Sequence, residues 1–364
     1  MSEYHFQPDY AIPPGETLQE ELISRGMTQA ELADRTGMAK KTINEIVKGK
    51  APITPETALK LEHVFGLPAH FWNALEQNYR ETKARLDEQD RLQEDLSWFQ
   101  QFPVQEMIKF GWLRRCQSKV EQFQELLTFF GVSSTSAWQT VWENPQTAYR
   151  QSQCVTVHRE AISAWLRQGE RVGHQLDCAP YRESQFRKSL KRIRELTRET
   201  PTIFVPQLQE LCAEAGVAVV FVRELPRTGI SGATRWLNTN KALIQLSLRY
   251  KSNDHLWFTF FHEAGHIVKH GKEIFLEING NGLDGEKEEE ANQFACNELI
   301  PPEHWHEFLE TFDHSVVEVC RFAKKINIDP GIVVGRLQHE KVWGHEKGNK
   351  LKVRLVWSDE TITT

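Results

Sequence analysis

Between Ser252 and Gly271 the chain carries an apolar run that opens on a cluster of helix-capping residues, Ser252-Asn253-Asp254, and closes on a glycine. Those bounds predict one apolar helix from about Leu256 to His270, and within it lies Phe261-His262-Glu263-Ala264-Gly265-His266. The two histidines of this His-Glu-x-x-His pattern fall on one helical face, about 6 Å apart along the axis. Imidazoles so placed can chelate a single ion, with Glu263 beside them. A Zn2+ ion held there would lower the pKa of its water to about 7 and polarise a peptide carbonyl. Glu263 would then accept the water's proton and pass it to the leaving amine.

A second helix follows in Gly285-Glu-Lys-Glu-Glu-Glu-Ala291-Asn292-Gln-Phe294-Ala295, ahead of Leu299-Ile300-Pro301. Its carboxylates Glu288, Glu289 and Glu290 are candidates for a third ligand. Acidic residues in a first turn also favour a helix N-terminus by about 0.3–1 kcal/mol each, so spacing alone does not choose among them. Asn292, one turn past Glu288, is placed to orient it. Upstream, Val217–Val222, Ile230–Leu237 and Ala242–Leu248 read as strands. A substrate could add as a strand along Ala242 to Arg249, although an ordinary sheet strand fits equally well. His255, His270, Arg249 and Tyr250 can each stabilise an oxyanion, and a structural role suits each of them too.

The N-terminal part is punctuated differently. Thr17-Leu-Gln-Glu20 and Thr28-Gln-Ala-Glu31 are capping-box patterns, Gly37 and Gly66 are stops, and Thr54-Pro55 is a cap followed by proline at the first helical position. A helix ending at Gly37 and another over about Ala39–Val47 make a helix-turn-helix, whose second helix enters the major groove. Ile43, Ile46 and Val47 would pack inward. Lys40, Lys41, Thr42, Asn44 and Glu45 would form the exposed face, where Asn can pair with adenine and Lys can contact guanine or phosphate, and Lys48 and Lys50 would lie near phosphates.

The residues between these regions carry no chemical motif. From Glu81 to Gln101 the chain is polar and free of Gly and Pro, which predicts an exposed connecting helix. Residues 103–200 continue mainly helical, with Trp112, Trp138, Trp142 and Trp165 as packing anchors. The basic run Arg182–Arg198 reads better as a solvated helix face than as a set of phosphate contacts. The expected organisation is 1–80, a helix-turn-helix domain; 81–102, a connecting helix; 103–200, a helical middle region; and 201–364, a metal domain.

Composition narrows the functional classes. The net charge is −6 over 364 residues, so a globally basic nucleic-acid binder is excluded and any DNA contact must be local. The longest purely apolar stretch, Val217–Val222, is far short of the roughly 20 residues of a spanning helix. No membrane association is expected. The start, Met1-Ser-Glu-Tyr-His-Phe6, lacks a basic segment before an apolar core, so a cytoplasmic location is expected. The six cysteines show no Cys-x-x-Cys spacing and read as reduced, mostly buried thiols.

Two resemblances sharpen this reading. The run Pro14-Gly15-Glu16 through Met27-Thr-Gln-Ala-Glu-Leu-Ala to Thr42-Ile-Asn-Glu-Ile-Val-Lys-Gly-Lys50, then Ile53-Thr-Pro-Glu-Thr and Phe71-Trp72, resembles the HigA-type antitoxin branch of the Xre helix-turn-helix repressors over about 60 residues. The resemblance implies a homodimer on palindromic double-stranded operator DNA, with its reading helices about one DNA turn apart. The strand Ala242–Arg249, Phe258 to His266, His270-Gly271, Glu-x-x-Ala291-Asn292 and Pro330-Gly-Ile-Val-Val-Gly-Arg336 resemble the ImmA/IrrE metallopeptidases over about 95 residues. That resemblance implies a zinc site of His262, His266 and Glu288 with Glu263 as the catalytic carboxylate, while Glu289 and Glu290 leave the register open.

The fold class expected is therefore α+β and predominantly helical: a five-helix helix-turn-helix domain, a helical middle, and a zincin-like domain with a small sheet. The leading function is a DNA-binding regulator of HigA type carrying a zinc metallopeptidase domain, with a cognate toxin or a protein substrate as partner. Two alternatives stand beside it. One is an active endopeptidase that cleaves a repressor or antitoxin, and the other an antitoxin whose peptidase-like domain holds zinc and mediates protein contacts.

Overall fold

The computed structural model describes residues 9–143, 158–271, 275–278, 285–358 and 361–364. The chain divides into two compact units, residues 1–97 and 98–364.

The first unit is built from α1 (Pro14–Ser24), α2 (Gln29–Thr36), α3 (Lys40–Val47), α4 (Pro55–Phe65) and α5 (Ala69–Glu94). Leu18, Leu22, Leu32, Ile43, Ile46, Ala58, Leu61 and Trp72 form its buried core. The capping box at α2 forms as the sequence predicts: the Thr28 side chain accepts from Glu31 N, and the Glu31 carboxylate accepts from Thr28 N. Gly37 closes α2 at φ +68°, a left-handed conformation that suits glycine. Thr54 caps α4 and Gly66 ends it. The box expected at Thr17 does not form, because α1 begins three residues earlier on Pro14, with Pro13 as its uncapped N-cap. Proline's fixed φ suits a first helical position, and Thr17 lies inside the helix. Helix α5 runs without a break past residue 80.

Gly15 explains how α1 approaches α3. A Cβ on Gly15 would sit 2.1 Å from the Ile46 carbonyl oxygen and 2.6 Å from that of Val47. Both obstacles are backbone, so neither can move aside as a side chain would. Gly15→Ala is expected to destabilise the first unit by about 1–3 kcal/mol through overpacking. A urea melt of residues 1–97 followed by circular dichroism checks this, and an unchanged midpoint would contradict the packing described.

The second unit opens with the short α6 (Leu96–Phe99, which straddles the boundary), α7 (Val104–Lys109), α8 (Lys119–Phe130) and α9 (Thr135–Trp138). An aromatic cluster ties them, with Trp98 stacked on Phe123 at 5.4 Å and Phe102 edge-on to Trp138 at 5.3 Å. All four expected anchors, Trp112, Trp138, Trp142 and Trp165, are buried. Helix α10 (Arg159–Gln175) lies on the sheet, where Trp165 Nε1 donates to the Val222 carbonyl and Gln245 Nε2 donates to the Trp165 carbonyl. Helix α11 (Glu183–Glu195) buries Phe186, Leu190 and Ile193 and leaves Lys188, Lys191 and Arg192 exposed, as a solvated basic face would. Helix α12 (Pro201–Ala213) then leads into the sheet.

The sheet contains β1 (Val217–Phe221), β2 (Ile230–Asn238), β3 (Lys241–Leu246) and β4 (Phe275–Ile278) in the order β1-β3-β2-β4. β1 and β3 are parallel, and β2 is antiparallel to both its neighbours. This order corrects one expectation. β3 is flanked by β1 and β2, so its backbone groups are already paired and no substrate strand can add along Ala242 to Leu246. On β2 and β3 packs α13 (Asn253–Lys269); α14 (Gly285–Leu299), α15 (Pro302–Thr311), α16 (Val316–Lys325) and α17 (Pro330–His339) follow, with α14 and α17 packed on α13 and α16 on α17. β5 (Val356–Ser358) and β6 (Thr361–Thr363) form a separate hairpin.

The cysteines also differ from expectation. Among those described, only Cys212 is buried; Cys116, Cys178 and Cys296 are half-buried and Cys320 is exposed. Cys320 lies on the outward face of α16, which turns Val319, Phe322 and Ala323 inward. Cys154 lies outside the described residues. No described helix is long and apolar enough to cross a membrane.

Candidate metal centre

Helix α13 places His262 and His266 one turn apart on a face it buries; the two are 2% and 1% exposed. Helix α14 crosses that face. The crossing is close because Gly265, between the histidines, has no side chain: a Cβ there would lie 3.1 Å from Phe294 Cδ1 and 3.2 Å from Ala291 Cα. Sequence reasoning gave Gly265 no role, although its place between two ligand candidates was visible. The approach brings Glu288 Oε2 to 3.1 Å from His262 Nε2 and Glu288 Oε1 to 3.5 Å from His266 Nε2. Glu289 and Glu290 are exposed, so of the three carboxylates only Glu288 joins the histidines.

Groups behind the rings fix their protons. Asn292 Oδ1 lies 2.9 Å from His262 Nδ1, and an amide oxygen only accepts, so Nδ1 carries the proton. Asn292 thus orients His262 and not Glu288, the partner expected from the sequence. His266 Nδ1 is 2.9 Å from His270 Nδ1, and His270 Nε2 is 3.0 Å from Glu290 Oε2. A carboxylate accepts, so His270 is protonated on Nε2, its Nδ1 accepts, and His266 Nδ1 donates. Both ligand histidines therefore turn an unprotonated Nε2 inward.

These two nitrogens stand 3.0 Å apart beside a carboxylate. Three lone-pair donors at such distances repel one another unless a cation lies among them, and two imidazoles with one carboxylate make a donor set suited to a transition-metal dication. Protonation agrees. Burial pushes the Glu288 carboxyl up, but when a proton on Nε2 of His262 or His266 takes the place of a cation, the hydrogen bonds and charge of those rings outweigh burial and hold it at about 2. Burial, as the largest influence, lowers His266 below the ordinary histidine value. At neutral pH the carboxylate is ionised and that imidazole is neutral, the states a metal requires.

Glu263 is wholly buried and is turned toward β2. The Thr234 hydroxyl lies 2.6 Å from Glu263 Oε2 and 3.1 Å from the Glu263 carbonyl oxygen. Gly232 gives the carboxylate room, since a Cβ there would lie 2.6 Å from Glu263 Oε1. Phe275 on β4 stacks on His266 at 4.0 Å. Of the groups considered for oxyanion stabilisation, His270 bonds His266, His255 stacks on Tyr250 at 4.2 Å, and the Arg249 guanidinium bonds the Gly229 carbonyl.

In the first unit, α3 carries the DNA candidates. Ile43 and Ile46 are buried, Lys40 and Lys41 are exposed in the first turn, Thr42 and Asn44 are half-buried, and exposed Lys48 is the C-cap. Lys41 approaches Glu45 on its own helix at 3.8 Å.

Two family models match the chain: a helix-turn-helix family over residues 18–72, and the IrrE N-terminal-like domain, a peptidase family, over residues 215–338. Virulence-associated protein I of Dichelobacter nodosus is 38% identical over 80 residues, which cover 22% of this chain and 74% of that protein. An uncharacterized HTH-type transcriptional regulator of Escherichia coli K12, YddM, is 36% identical over 59 residues, or 16% of this chain and 63% of that protein. Among solved structures, the Pseudomonas aeruginosa antitoxin HigA with the higBA promoter is 28% identical, covers 23% of this chain and 94% of its own, and gives a TM-score of 0.22.

Proposed function

Since the chain belongs to the Xre-type helix-turn-helix family by its first domain and carries an IrrE/ImmA-like peptidase-family domain after it, we propose that it is a cytoplasmic, operator-binding regulator of the antitoxin type whose second domain is a zinc-dependent endopeptidase. The observation that carries the metal half is the inward convergence of His262 Nε2, His266 Nε2 and the Glu288 carboxylate. The regulator half rests on α3, which buries Ile43 and Ile46 and leaves the Lys40, Lys41 and Asn44 face for bases and backbone. A homodimer would present two such helices to a palindromic operator.

When bound, zinc supplies Lewis acidity toward the scissile carbonyl and the attacking water. His262, His266 and Glu288 would hold it. Asn292 and His270 fix the two rings, and Thr234 fixes one oxygen of Glu263. Glu263 accepts the proton released as water adds to the carbonyl carbon, then delivers it to the amine nitrogen as the C–N bond breaks. The substrate would be a protein partner, a repressor or a cognate toxin. The full burial of Glu263 favours a second reading, in which the domain holds zinc and serves as a protein contact.

Metal analysis of the purified chain is expected to find about one equivalent of zinc, and His262→Ala to carry almost none. A wild-type chain that remains metal-free in the presence of zinc would remove the metal half of this proposal. A gel shift with the chain's own promoter tests the other half.

A further inference from the structure

The two ligand histidines are held from behind by chemically different partners. His262 leans on a neutral amide, Asn292. His266 leans on another imidazole, and that imidazole leans on a carboxylate: His266 Nδ1 to His270 Nδ1 at 2.9 Å, then His270 Nε2 to Glu290 Oε2 at 3.0 Å. We propose that His270 and Glu290 are positioning residues that make His266 the stronger donor of the pair and set the affinity of the site for a divalent cation. The proposal rests on reading His262, His266 and Glu288 as a metal centre.

The positions of the protons carry the effect. His270 can accept from His266 only while its own proton is on Nε2, and Glu290 is the group that keeps it there. Without that carboxylate His270 is free to carry its proton on Nδ1, which would set donor against donor across 2.9 Å and turn one ring away. With the carboxylate in place, negative charge at the far end polarises both N–H bonds and raises electron density at His266 Nε2. Packing does not do this work. Phe275, stacked on His266, fixes the plane of the ring but not its proton.

The parts also differ in exposure in a way that makes the idea testable. The His270 side chain is 5% exposed, whereas that of Glu290 is 62% exposed. Glu290 can therefore be changed without opening a cavity, so a loss of affinity on its replacement would be electrostatic or tautomeric in origin. Helix α14 supplies this carboxylate two residues after the ligand Glu288 and two before Asn292. One helical turn and a little more thus provides a ligand and both rear supports, one of them through His270.

The test measures zinc affinity of the full chain at neutral pH by competition with a chromophoric chelator, together with the visible spectrum of the cobalt-substituted protein. Glu290→Gln is expected to weaken zinc about 10-fold and His270→Ala about 10- to 100-fold. His270→Asn, whose amide oxygen can still accept from His266 Nδ1, is expected to recover part of the His270→Ala loss. The cobalt bands should shift in Glu290→Gln, a change that lost packing would not produce. If Glu290→Gln and His270→Ala both bind zinc within about twofold of wild type with an unshifted cobalt spectrum, the relay is overturned while the metal centre stands. If the wild-type chain itself binds neither ion, the metal centre fails and the relay with it.

Discussion

Glu263→Gln is expected to leave the metal in place and to reduce cleavage of a co-expressed protein partner by about 10²- to 10⁴-fold, the usual worth of a positioned general base. The structure makes this a clean substitution. The side chain is fully buried between α13 and β2, so a residue of different shape would disturb both elements. Glutamine keeps the volume, and its amide oxygen can accept the Thr234 hydroxyl bond that now ends on Oε2 at 2.6 Å. What it loses is basicity. The ligands are untouched, so zinc stoichiometry should match wild type, and this separates the variant from His262→Ala, which should lose metal and cleavage together. Equal cleavage by wild type and Glu263→Gln would end the endopeptidase reading and leave the zinc-holding contact domain.

The second large effect is expected in the other unit. Replacing Lys41 and Asn44 together by alanine should abolish specific retardation of the chain's own promoter while nonspecific binding at low salt persists. An asparagine paired with adenine contributes about 1–3 kcal/mol of discrimination, and removal of one lysine–phosphate contact lowers the salt slope by about 1. Neither side chain belongs to the core. The Lys41 side chain is 84% exposed, and Ile43 and Ile46, which hold α3 in the unit, are left in place. A double variant that shifts the promoter like wild type would show that α3 is not the reading helix.

Much of this was legible because the decisive signals are local. A capping box is written within four residues, and Thr28-Gln-Ala-Glu31 forms as written. Two histidines four apart on an apolar helix share a face by helical geometry alone. Signals that depend on distant partners were not legible. How closely α1 approaches α3 depends on Gly15 meeting the backbone of Ile46 and Val47, far away in sequence. β4 is four residues long and, among the described residues, pairs with β2 alone, so no period was there to read. That β3 lies inside the sheet follows from strand order, which hydrophobicity does not encode. The choice of Asn292 to hold His262, and of His270 to join His266 to Glu290, is set by how α14 crosses α13. That crossing turns on the absent side chain of Gly265.

Helix α10 has a practical consequence for anyone who cuts the protein into parts. The change in composition at Pro201 invites a break there, but such a fragment would leave behind the roof of its own sheet. Gly169 and Gly173 let that roof sit within reach of Gln245 and Leu243, and Trp165 fills the space over the end of β1. Stripped of it, the Gln245 amide would lose its acceptor and the strands would face water with their apolar side. A soluble fragment that holds the candidate metal centre must therefore begin upstream of Arg159, although every residue of that centre lies after Pro201.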